Sequence, residues 1–145
     1  MSPTSVSHPA YYGPAFANAK VHDAMRVGVV TCLPDASPAD AARVMAGYGI
    51  HCLVVTDPDP AGHGRARGVV DALDVARGEA EGRKRVDEFV TEPVTIDSNA
   101  SLADAARLMA ERVTSHLVAV QPGTDRPVGV VSASGIAAVL AWGRS

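Results

Sequence analysis

The sequence predicts an α/β (α+β) protein in which one strand-helix-strand-strand-helix unit is used twice. The first observation is a repeat: residues 37–46 read SPADAARVMA, and residues 101–110, 64 positions later, read SLADAARLMA, with eight of ten residues identical. The second is size, because each copy spans roughly 60 residues and a unit of that size buries little core alone. We therefore expect two copies packed on each other, related by a pseudo-twofold axis with a cleft between them.

The repeated segment has the features of a helix start. Ser37 is a good N-cap, Pro38 suits the first helical position, and Asp40 follows the cap by three residues. Ser101 and Asp104 repeat the arrangement. Apolar residues then recur every three or four positions in both copies: Ala41, Val44, Met45 and Tyr48, then Ala105, Leu108, Met109 and Val113. Each copy is therefore expected to pack one helix against a core.

Short apolar stretches around these helices predict three strands in each copy. A final helix begins after Asp71 in the first copy and after Ser132 in the second, since both residues are good N-caps. The strands are 29–33, 53–55 and 68–70 in the first copy, and 94–96, 117–120 and 129–131 in the second. The predicted organisation is an N-terminal tail or loosely docked arm (1–19), a first repeat (20–80), a linker (81–85) and a second repeat (86–145).

Composition and charge exclude several classes of partner. The formal net charge is −3, and the one basic run, 83–85, is flanked by acidic residues, which predicts a solvated linker and no nucleic-acid partner. No apolar stretch approaches the roughly 18 residues of a membrane span, and the N-terminus lacks the features of a signal peptide. We therefore expect a cytoplasmic protein with no membrane partner.

The two cysteines indicate neither a disulfide framework nor a metal site. Cys32 and Cys52 lie in apolar segments and are expected to be small buried residues in a reducing compartment. No ligand spacing supports a metal site built from these cysteines with His51 and His116. The chain also offers no nucleophile–base pair and no glycine-rich phosphate loop, so we predict that it is not an enzyme and requires no cofactor.

The whole of residues 20–145 resembles a tandem pair of CBS domains, the Bateman module. The landmarks are the starts of the copies, VHDAM and VDEFV, the capped helix, the strand IHCLVV, and the Gly-apolar-apolar turn into the last helix. The resemblance implies a small disc in which the copies face each other, often paired again into a homodimer. It also implies a regulatory module that binds an adenosine-containing ligand (AMP, ADP, ATP or S-adenosylmethionine) between the copies and acts on an unknown protein.

The resemblance points to a ribose and phosphate motif at the turn into the last helix. In ligand-binding members this turn resembles Gly-x-x-Ser/Thr-x-x-Asp, in which the Asp holds the ribose and the hydroxyl lies near the phosphate. The first copy, GVVDALD, has the ribose-type Asp74 but carries Asp71 at the hydroxyl position. The second, GVVSASG, keeps Ser132 but has Gly135 in place of the acid. Without a ligand, Asp71 is an ordinary N-cap and Asp74 a solvated acid favoured by the helix dipole.

Four further residues complete the candidate site. His51 and His116 stand just before the second strands, where nucleotide-sensing relatives often use His or Arg to reach the phosphates. Thr31 and Thr95 stand at the first-strand edge that commonly lines the adenine pocket. The alternatives are surface or half-buried histidines without a ligand role and ordinary β-propensity for the threonines.

Two functions follow from these features. The first is a stand-alone CBS pair that senses an adenosine ligand. We expect this ligand to prefer the cleft containing Asp74. We also expect it to carry few phosphates or a positive group, because Asp71 repels phosphate. The alternative is a ligand-free dimerisation or docking module that acts on a partner enzyme or transporter. The last helix is apolar nearly all round at 136–142, which predicts that a second subunit covers it in a homodimer.

Overall fold

The two copies fold into equivalent units. The computed structural model describes residue 11 and residues 13–59 and 66–144. The first part of the chain contains α1 (Val21–Ala24), β1 (Arg26–Val27), β2 (Thr31–Cys32), α2 (Pro38–Tyr48), β3 (Cys52–Thr56), β4 (Ala66–Asp71) and α3 (Ala72–Ala80). A 3-10 turn (Val86–Glu88), β5 (Thr95–Asp97), α4 (Leu102–Arg112), β6 (His116–Val120), β7 (Pro127–Ser132) and α5 (Ala133–Trp142) follow.

The strands form two sheets with matching topology. One sheet has the order β2-β3-β4 and the other β1-β7-β6-β5. In both, the first strand of the copy pairs in parallel with the second, and the second pairs antiparallel with the third. Even the register shift recurs 64 positions apart, between Val55 and Thr56 and between Ala119 and Val120. The predicted fold class and the equivalent strand order of the copies are confirmed.

The two long helices begin as their sequences predict. The Ser37 hydroxyl accepts a hydrogen bond from the Asp40 N–H at 3.1 Å, and the Ser101 hydroxyl accepts one from the Asp104 N–H at the same distance. These bonds satisfy N–H groups that have no partner within the first helical turn. None of the helices in the described ranges is long and apolar enough to cross a membrane.

The ends of these helices differ from the predicted pattern. Tyr48 and Val113 were expected on the buried face, but they are 58% and 91% exposed. The reason is that α2 stops at Tyr48, and the left-handed Gly49 (φ 65°) turns the chain away. Val113 takes the equivalent left-handed position itself (φ 50°), a conformation that is strained for a β-branched residue. The buried apolar face therefore ends at Met45 in α2 and at Met109 in α4.

Each copy sends its first residues across to the other copy. We call residues 21–27 and 86–91 the lead-in segments. Val21 is fully buried in the core of the second copy, with Leu102 and Leu117. Val86 is fully buried in the core of the first copy, with Leu53. The repeats in sequence are therefore not the packing units in space.

Matching backbone bonds hold the two lead-in segments in place. The Val21 N–H donates to the Ala100 carbonyl at 2.9 Å, and the Val86 N–H donates to the Ala36 carbonyl at 2.8 Å. The two donor residues are 65 positions apart in the sequence and the two acceptor residues are 64 positions apart. Both separations agree with the repeat offset of 64 to within one position, so the exchange obeys the pseudo-twofold symmetry.

Further along, each lead-in segment pairs with the third strand of the other copy. Arg26 lies opposite Val130, and Thr91 lies opposite Val69. The close approach requires a glycine beside each pair.

Gly129 and Gly68 make room for the crossing backbone. A Cβ atom at Gly129 would lie 2.5 Å from the Arg26 carbonyl oxygen, and one at Gly68 would lie 2.8 Å from the Thr91 carbonyl oxygen. Both distances are too short for carbon against oxygen, so a side chain at either position displaces the lead-in segment.

A third apolar cluster joins the two copies. Its buried members are Val54 on β3 and Val118 and Val120 on β6, and Val69 and Val130 pack against them. Val54 and Val118 are equivalent positions, so this cluster lies on the pseudo-twofold axis. The halves are thus joined both by the lead-in segments and by this apolar contact.

The N-terminal segment packs more closely than the composition suggests. Residues 1–10 and 12 lie outside the described residues. Tyr11 is buried in the core of the second copy, and its hydroxyl donates to the Pro14 carbonyl at 2.6 Å. The Ala15 N–H donates to the Arg144 carbonyl at 2.8 Å, which ties this arm to the chain just after α5.

The same arm alters the expectation for the last helix. Ile136 and Val139 on α5 are buried within the chain, in the cluster that contains Tyr11. Leu140 and Trp142 remain 65% and 40% exposed. The prediction that a second subunit covers the whole apolar helix was too broad, because this chain covers one face itself.

We expect Gly129→Ala to lower the free energy of unfolding by about 1–3 kcal/mol, since the added methyl group overlaps the Arg26 carbonyl. Gly47→Ala is the matched control. Gly47 lies inside α2 with open space around its Cβ direction, so alanine there should raise stability by about 0.5–1 kcal/mol. Urea unfolding followed by circular dichroism measures both. Equal stability of Gly129→Ala and the parent chain would contradict the close approach.

Candidate functional site

Four strand ends and two helix starts meet at one end of the sheets. Cys52 begins β3 opposite Asp71, which ends β4, and His116 begins β6 opposite Ser132, which ends β7. Asp71 and Ser132 are also the N-caps of α3 and α5. Asp71, His116 and Ser132, which the sequence singled out, therefore lie near the junction of the two copies.

A cleft of about 210 Å³ opens here between the two copies. It brings together three predicted site residues, His51, His116 and Ser132. The remaining lining comes from both copies: Arg26, Gly28, Val30, Gly49, Ile50, Cys52, Val130 and Ser134. A ligand in this cleft would contact both halves of the molecule at once.

Arg26 is a site residue that sequence reasoning missed. It is exposed at the cleft, and within the described ranges its guanidinium makes no hydrogen bond or ion pair. Pairing of β1 with β7 places it beside Val130 of the other copy. Its charge was visible in the sequence, but the crossing of the lead-in segment was not. An unpaired guanidinium is a strong ligand for carboxylate or phosphate.

A groove of about 480 Å³ adjoins the cleft and shares Arg26, Gly28 and Val30 with it. Thr31, a predicted adenine-contacting residue, lines this groove. The other lining residues are Val27, Val29, Val44 and Tyr48. The exposed Tyr48 ring and the valines offer an aromatic and aliphatic surface on which a flat aromatic ligand can pack.

His116 is half-buried in the cleft. Its Nδ1 lies 3.0 Å from the Ser115 hydroxyl. Burial lowers the pKa of the His116 imidazole, nearby Asp71 raises it, and His51 lowers it again. The net direction is downward, so the ring is uncharged at neutral pH in the unliganded cleft.

The two helix starts differ in charge. The Ser132 hydroxyl accepts from the Gly135 N–H at 3.0 Å, and the first turn of α5 carries no acidic residue. At the α3 start, the carboxylate of the N-cap Asp71 accepts a hydrogen bond from the Asp74 N–H at 2.7 Å. One acid therefore stands at the cap and a second, Asp74, in the first turn. The positive end of α5 is therefore open to an anion, whereas the positive end of α3 is already neutralised.

Asp74 has protein partners on both carboxylate oxygens. Oδ2 accepts from the Asp71 N–H at 3.0 Å, and Oδ1 pairs with Arg77 at 3.0 Å. Burial raises the pKa of this carboxyl, the backbone hydrogen bond from Asp71 opposes the rise, and the charge of Asp71 adds to it. Asp74 does not line the cleft described above. Its ribose role stays a prediction, and it requires that a ligand compete with Arg77.

Thr95 lies apart from the other candidates. It lines a separate groove of about 470 Å³ with three acids, Asp57, Glu92 and Asp125. Among the described residues that line this groove, Arg67 is the single cation, and it is already paired with Asp57 at 3.1 Å. This groove disfavours an anionic ligand, in contrast to the cleft at Arg26.

The thiols near the site are protonated. Burial raises the pKa of Cys32 to about 11, and burial with the charges of Asp71 and Asp74 raises that of Cys52 to about 12. Over the described part of the chain, no group of three or more His, Cys, Asp or Glu side chains has the arrangement of a metal site. Neither thiol offers the thiolate that a metal or a disulfide exchange requires.

Comparison with known proteins identifies the family. The CBS domain family model matches residues 21–81 and 86–141. The chain belongs to the CBS-domain family, and it carries two such domains in tandem. A comparison with curated protein sequences found no match.

Solved structures show the same fold at low sequence identity. The CBS domain pair of protein MJ0100, in complex with 5′-methylthioadenosine and S-adenosyl-L-methionine, matches with a TM-score of 0.77, 22% identity and coverage of 85% of this chain and 96% of that chain. The CBS-domain protein ATU1752 from Agrobacterium tumefaciens matches with a TM-score of 0.73, 21% identity and coverage of 89% of this chain and 97% of that chain. Hypoxic Response Protein I, with two coordinated zinc ions, matches with a TM-score of 0.66, 23% identity and coverage of 82% of this chain and 97% of that chain.

We expect Cys52 to react very slowly with a thiol reagent such as DTNB near neutral pH in the folded protein. A pKa of about 12 leaves a thiolate fraction about a thousandfold below that of an ordinary cysteine. The same chain unfolded in urea is the control, and both cysteines should then react at ordinary rates. Rapid labelling of Cys52 in the folded protein would contradict the described burial.

Proposed function

We propose that this CBS pair is a regulatory module that binds an adenosine-containing ligand across the cleft and the adjoining groove. The observation that carries the proposal is the continuity of a groove lined by valines, Tyr48 and Thr31 with a cleft that holds Arg26 and two histidines. One part suits a flat base, and the other suits an anionic group. The complex of the MJ0100 pair with two adenosine compounds supports the same ligand class.

The proposed orientation follows from charge. The base lies in the groove along Thr31, and the anionic end lies in the cleft beside Arg26. There the N-terminus of α5, capped by Ser132, offers N–H groups and a partial positive charge. We place the anion here because the α3 start carries Asp71 and Asp74, whose charges oppose it.

Asp71 also limits how much negative charge the ligand carries. It lies near enough to His116 to affect the pKa of that imidazole. Two like charges about 4 Å apart repel by roughly 1–4 kcal/mol at effective dielectrics between 80 and 20. We therefore propose a ligand with few phosphates, such as AMP, in preference to ATP.

Regulation would follow from the position of the cleft. Its lining comes from both copies, so a bound ligand adds contacts across the pseudo-twofold interface and favours one packing of the copies. A regulated enzyme or transporter can recognise the surface that a change in this packing alters. We assign the module no reaction of its own. The two free, protonated thiols are consistent with the cytoplasm, which is a reducing compartment.

A single substitution tests the assignment of the anion to this cleft. We expect Arg26→Gln to weaken AMP binding at least tenfold by calorimetry, because it removes the one unpaired cation at the cleft. Arg107→Gln is the matched control, since Arg107 pairs with Asp104 on the surface of α4 at 2.8 Å. Equal AMP affinity of Arg26→Gln and the control would contradict the assignment.

Two substitutions at α3 complete this test. Asp71→Thr should strengthen AMP binding, because threonine preserves the N-cap and removes the negative charge. Asp74→Ala weakens AMP binding if Asp74 holds the ribose, as the motif predicts. If Asp74→Ala weakens binding and Arg26→Gln does not, the ligand occupies the cleft at Asp74 instead.

A second candidate function is homodimerisation or docking through the helices. An apolar groove of about 640 Å³ lies between α2 and α3, lined by small and apolar residues such as Ala42, Met45 and Val75. Leu73 on α3 and Leu140 on α5 are also largely exposed. These exposed apolar surfaces favour association with a second copy or with a partner protein.

We expect Leu140→Glu to shift the protein from dimer to monomer in size-exclusion chromatography with light scattering, because the charge is costly in an apolar interface. Leu33→Glu is the control, since Leu33 is also exposed but lies in the loop before α2. A parent chain that is a monomer at high concentration would rule out this mode of association.

A further inference from the structure

We propose that two chains pair through unlike copies, so that the α4–α5 face of one chain packs into the α2–α3 groove of the other. This inference rests on the second candidate function, self-association through the helices, and it names the surfaces that meet. Three observations carry it: a difference in shape between equivalent positions of the two copies, a strained exposed valine, and two unpaired side chains of opposite charge.

The two helix pairs of the chain present equivalent faces. α2 and α4 correspond at an offset of 64 positions, and the N-caps of α3 and α5, Asp71 and Ser132, are 61 positions apart. Each residue that lines the α2–α3 groove therefore has a counterpart on the α4–α5 side, and we call the two surfaces the first-copy face and the second-copy face. Most counterparts are identical or similar: Ala42 and Ala106, Met45 and Met109, Ala46 and Ala110, Val75 and Ile136, Ala76 and Ala137.

Two positions differ strongly in shape between the faces. Gly49 and Glu79 line the groove of about 640 Å³ on the first-copy face. Their counterparts are Val113 and Leu140, and both of these side chains are largely exposed. Because the copies have the same fold, Val113 and Leu140 lie on one face, as Gly49 and Glu79 do. The second-copy face therefore carries projecting aliphatic side chains, whereas the first-copy face is concave, and such shapes are complementary.

Val113 lowers the stability of the chain in the position that it occupies. It has a left-handed backbone (φ 50°), which is unfavourable for a β-branched residue, whereas the first copy uses Gly49 (φ 65°) for the same turn. Its side chain is 91% exposed, so it adds almost nothing to the core. A strained apolar residue that its own chain does not bury indicates a contact outside that chain.

Charge favours a second copy as the occupant of the groove. Glu79 lines the groove, and Arg112 directly precedes Val113 at the end of α4. Over the described ranges, neither side chain makes an ion pair or a hydrogen bond. Contact between unlike faces brings the guanidinium toward the carboxylate, whereas contact between two first-copy faces brings two Glu79 carboxylates to one interface. Each chain carries both faces, so a twofold axis between two chains can make this contact twice.

The first test uses the strained residue itself. We expect Val113→Gly to raise the dimer dissociation constant about tenfold in sedimentation equilibrium, because it removes apolar surface from the contact. The same change should raise the thermal midpoint of the dilute, monomeric chain, since glycine relaxes the left-handed turn. A residue that serves the fold alone would not combine these two effects. Val27→Ala is the control, because Val27 is also a highly exposed valine and does not line the groove.

The second test distinguishes unlike pairing from like pairing. Ala42→Glu places a charge on the first-copy face and Leu140→Glu places one on the second-copy face, at two exposed positions. If unlike faces meet, each variant alone has a charge in both contacts of its pair, but an equimolar mixture keeps one intact contact. We therefore expect a mixed dimer with a dissociation constant at least tenfold below that of either variant alone. If like faces meet, every mixed pair has a charge in both contacts, and mixing brings no recovery.

The outcomes separate this arrangement from self-association as such. A parent chain that dimerises, but whose dissociation constant is unchanged by Val113→Gly or whose two variants show no recovery on mixing, overturns the unlike pairing and leaves self-association standing. A parent chain that is a monomer at high concentration overturns self-association and the arrangement together. Circular dichroism of every variant confirms that a lost dimer is not a lost fold.

Discussion

The exchange of the lead-in segments is the constraint on which the rest of the structure depends. Each copy completes its core with a valine from the other, Val21 in one case and Val86 in the other. The exchange also requires backbone contact, which the absence of a side chain at Gly68 and Gly129 permits. Because neither core is complete without residues from the other copy, the two units fold as one body and each half stabilises the other across the cleft.

Symmetry of the backbone makes the divergence of the side chains informative. Equivalent positions carry Cys52 and His116, or Asp71 and Ser132, although their backbone pairings are the same. A repeat whose function were only to build the fold would tolerate identical residues at such sites. Arg26, His116 and Ser132 line the cleft near the α5 start, whereas Asp71 and Asp74 lie at the α3 start. The fold thus offers two similar locations, of which one suits an anion.

Local signals in the sequence were sufficient for the longer helices and for three strands in each copy, but not for α1, β1 or the site. The caps at Ser37 and Ser101 follow from short-range patterns, because hydrogen bonds between residues three apart decide them. Arg26 was missed because its position depends on a crossing between copies that no local pattern encodes. The pairing of Asp74 with Arg77 could have been anticipated from their spacing of three residues on one helix.

The origin of Arg26 explains how a ligand would sense the arrangement of the copies. Arg26 belongs to the first copy in sequence, but β7 of the second copy holds its backbone. The groove beside it is lined by Val44 and Tyr48 of the first copy. A ligand that contacts both Arg26 and this groove therefore connects groups anchored on different halves. Any shift between the halves changes those contacts together, so the binding energy depends on their relative position, which is the physical requirement for a regulatory module.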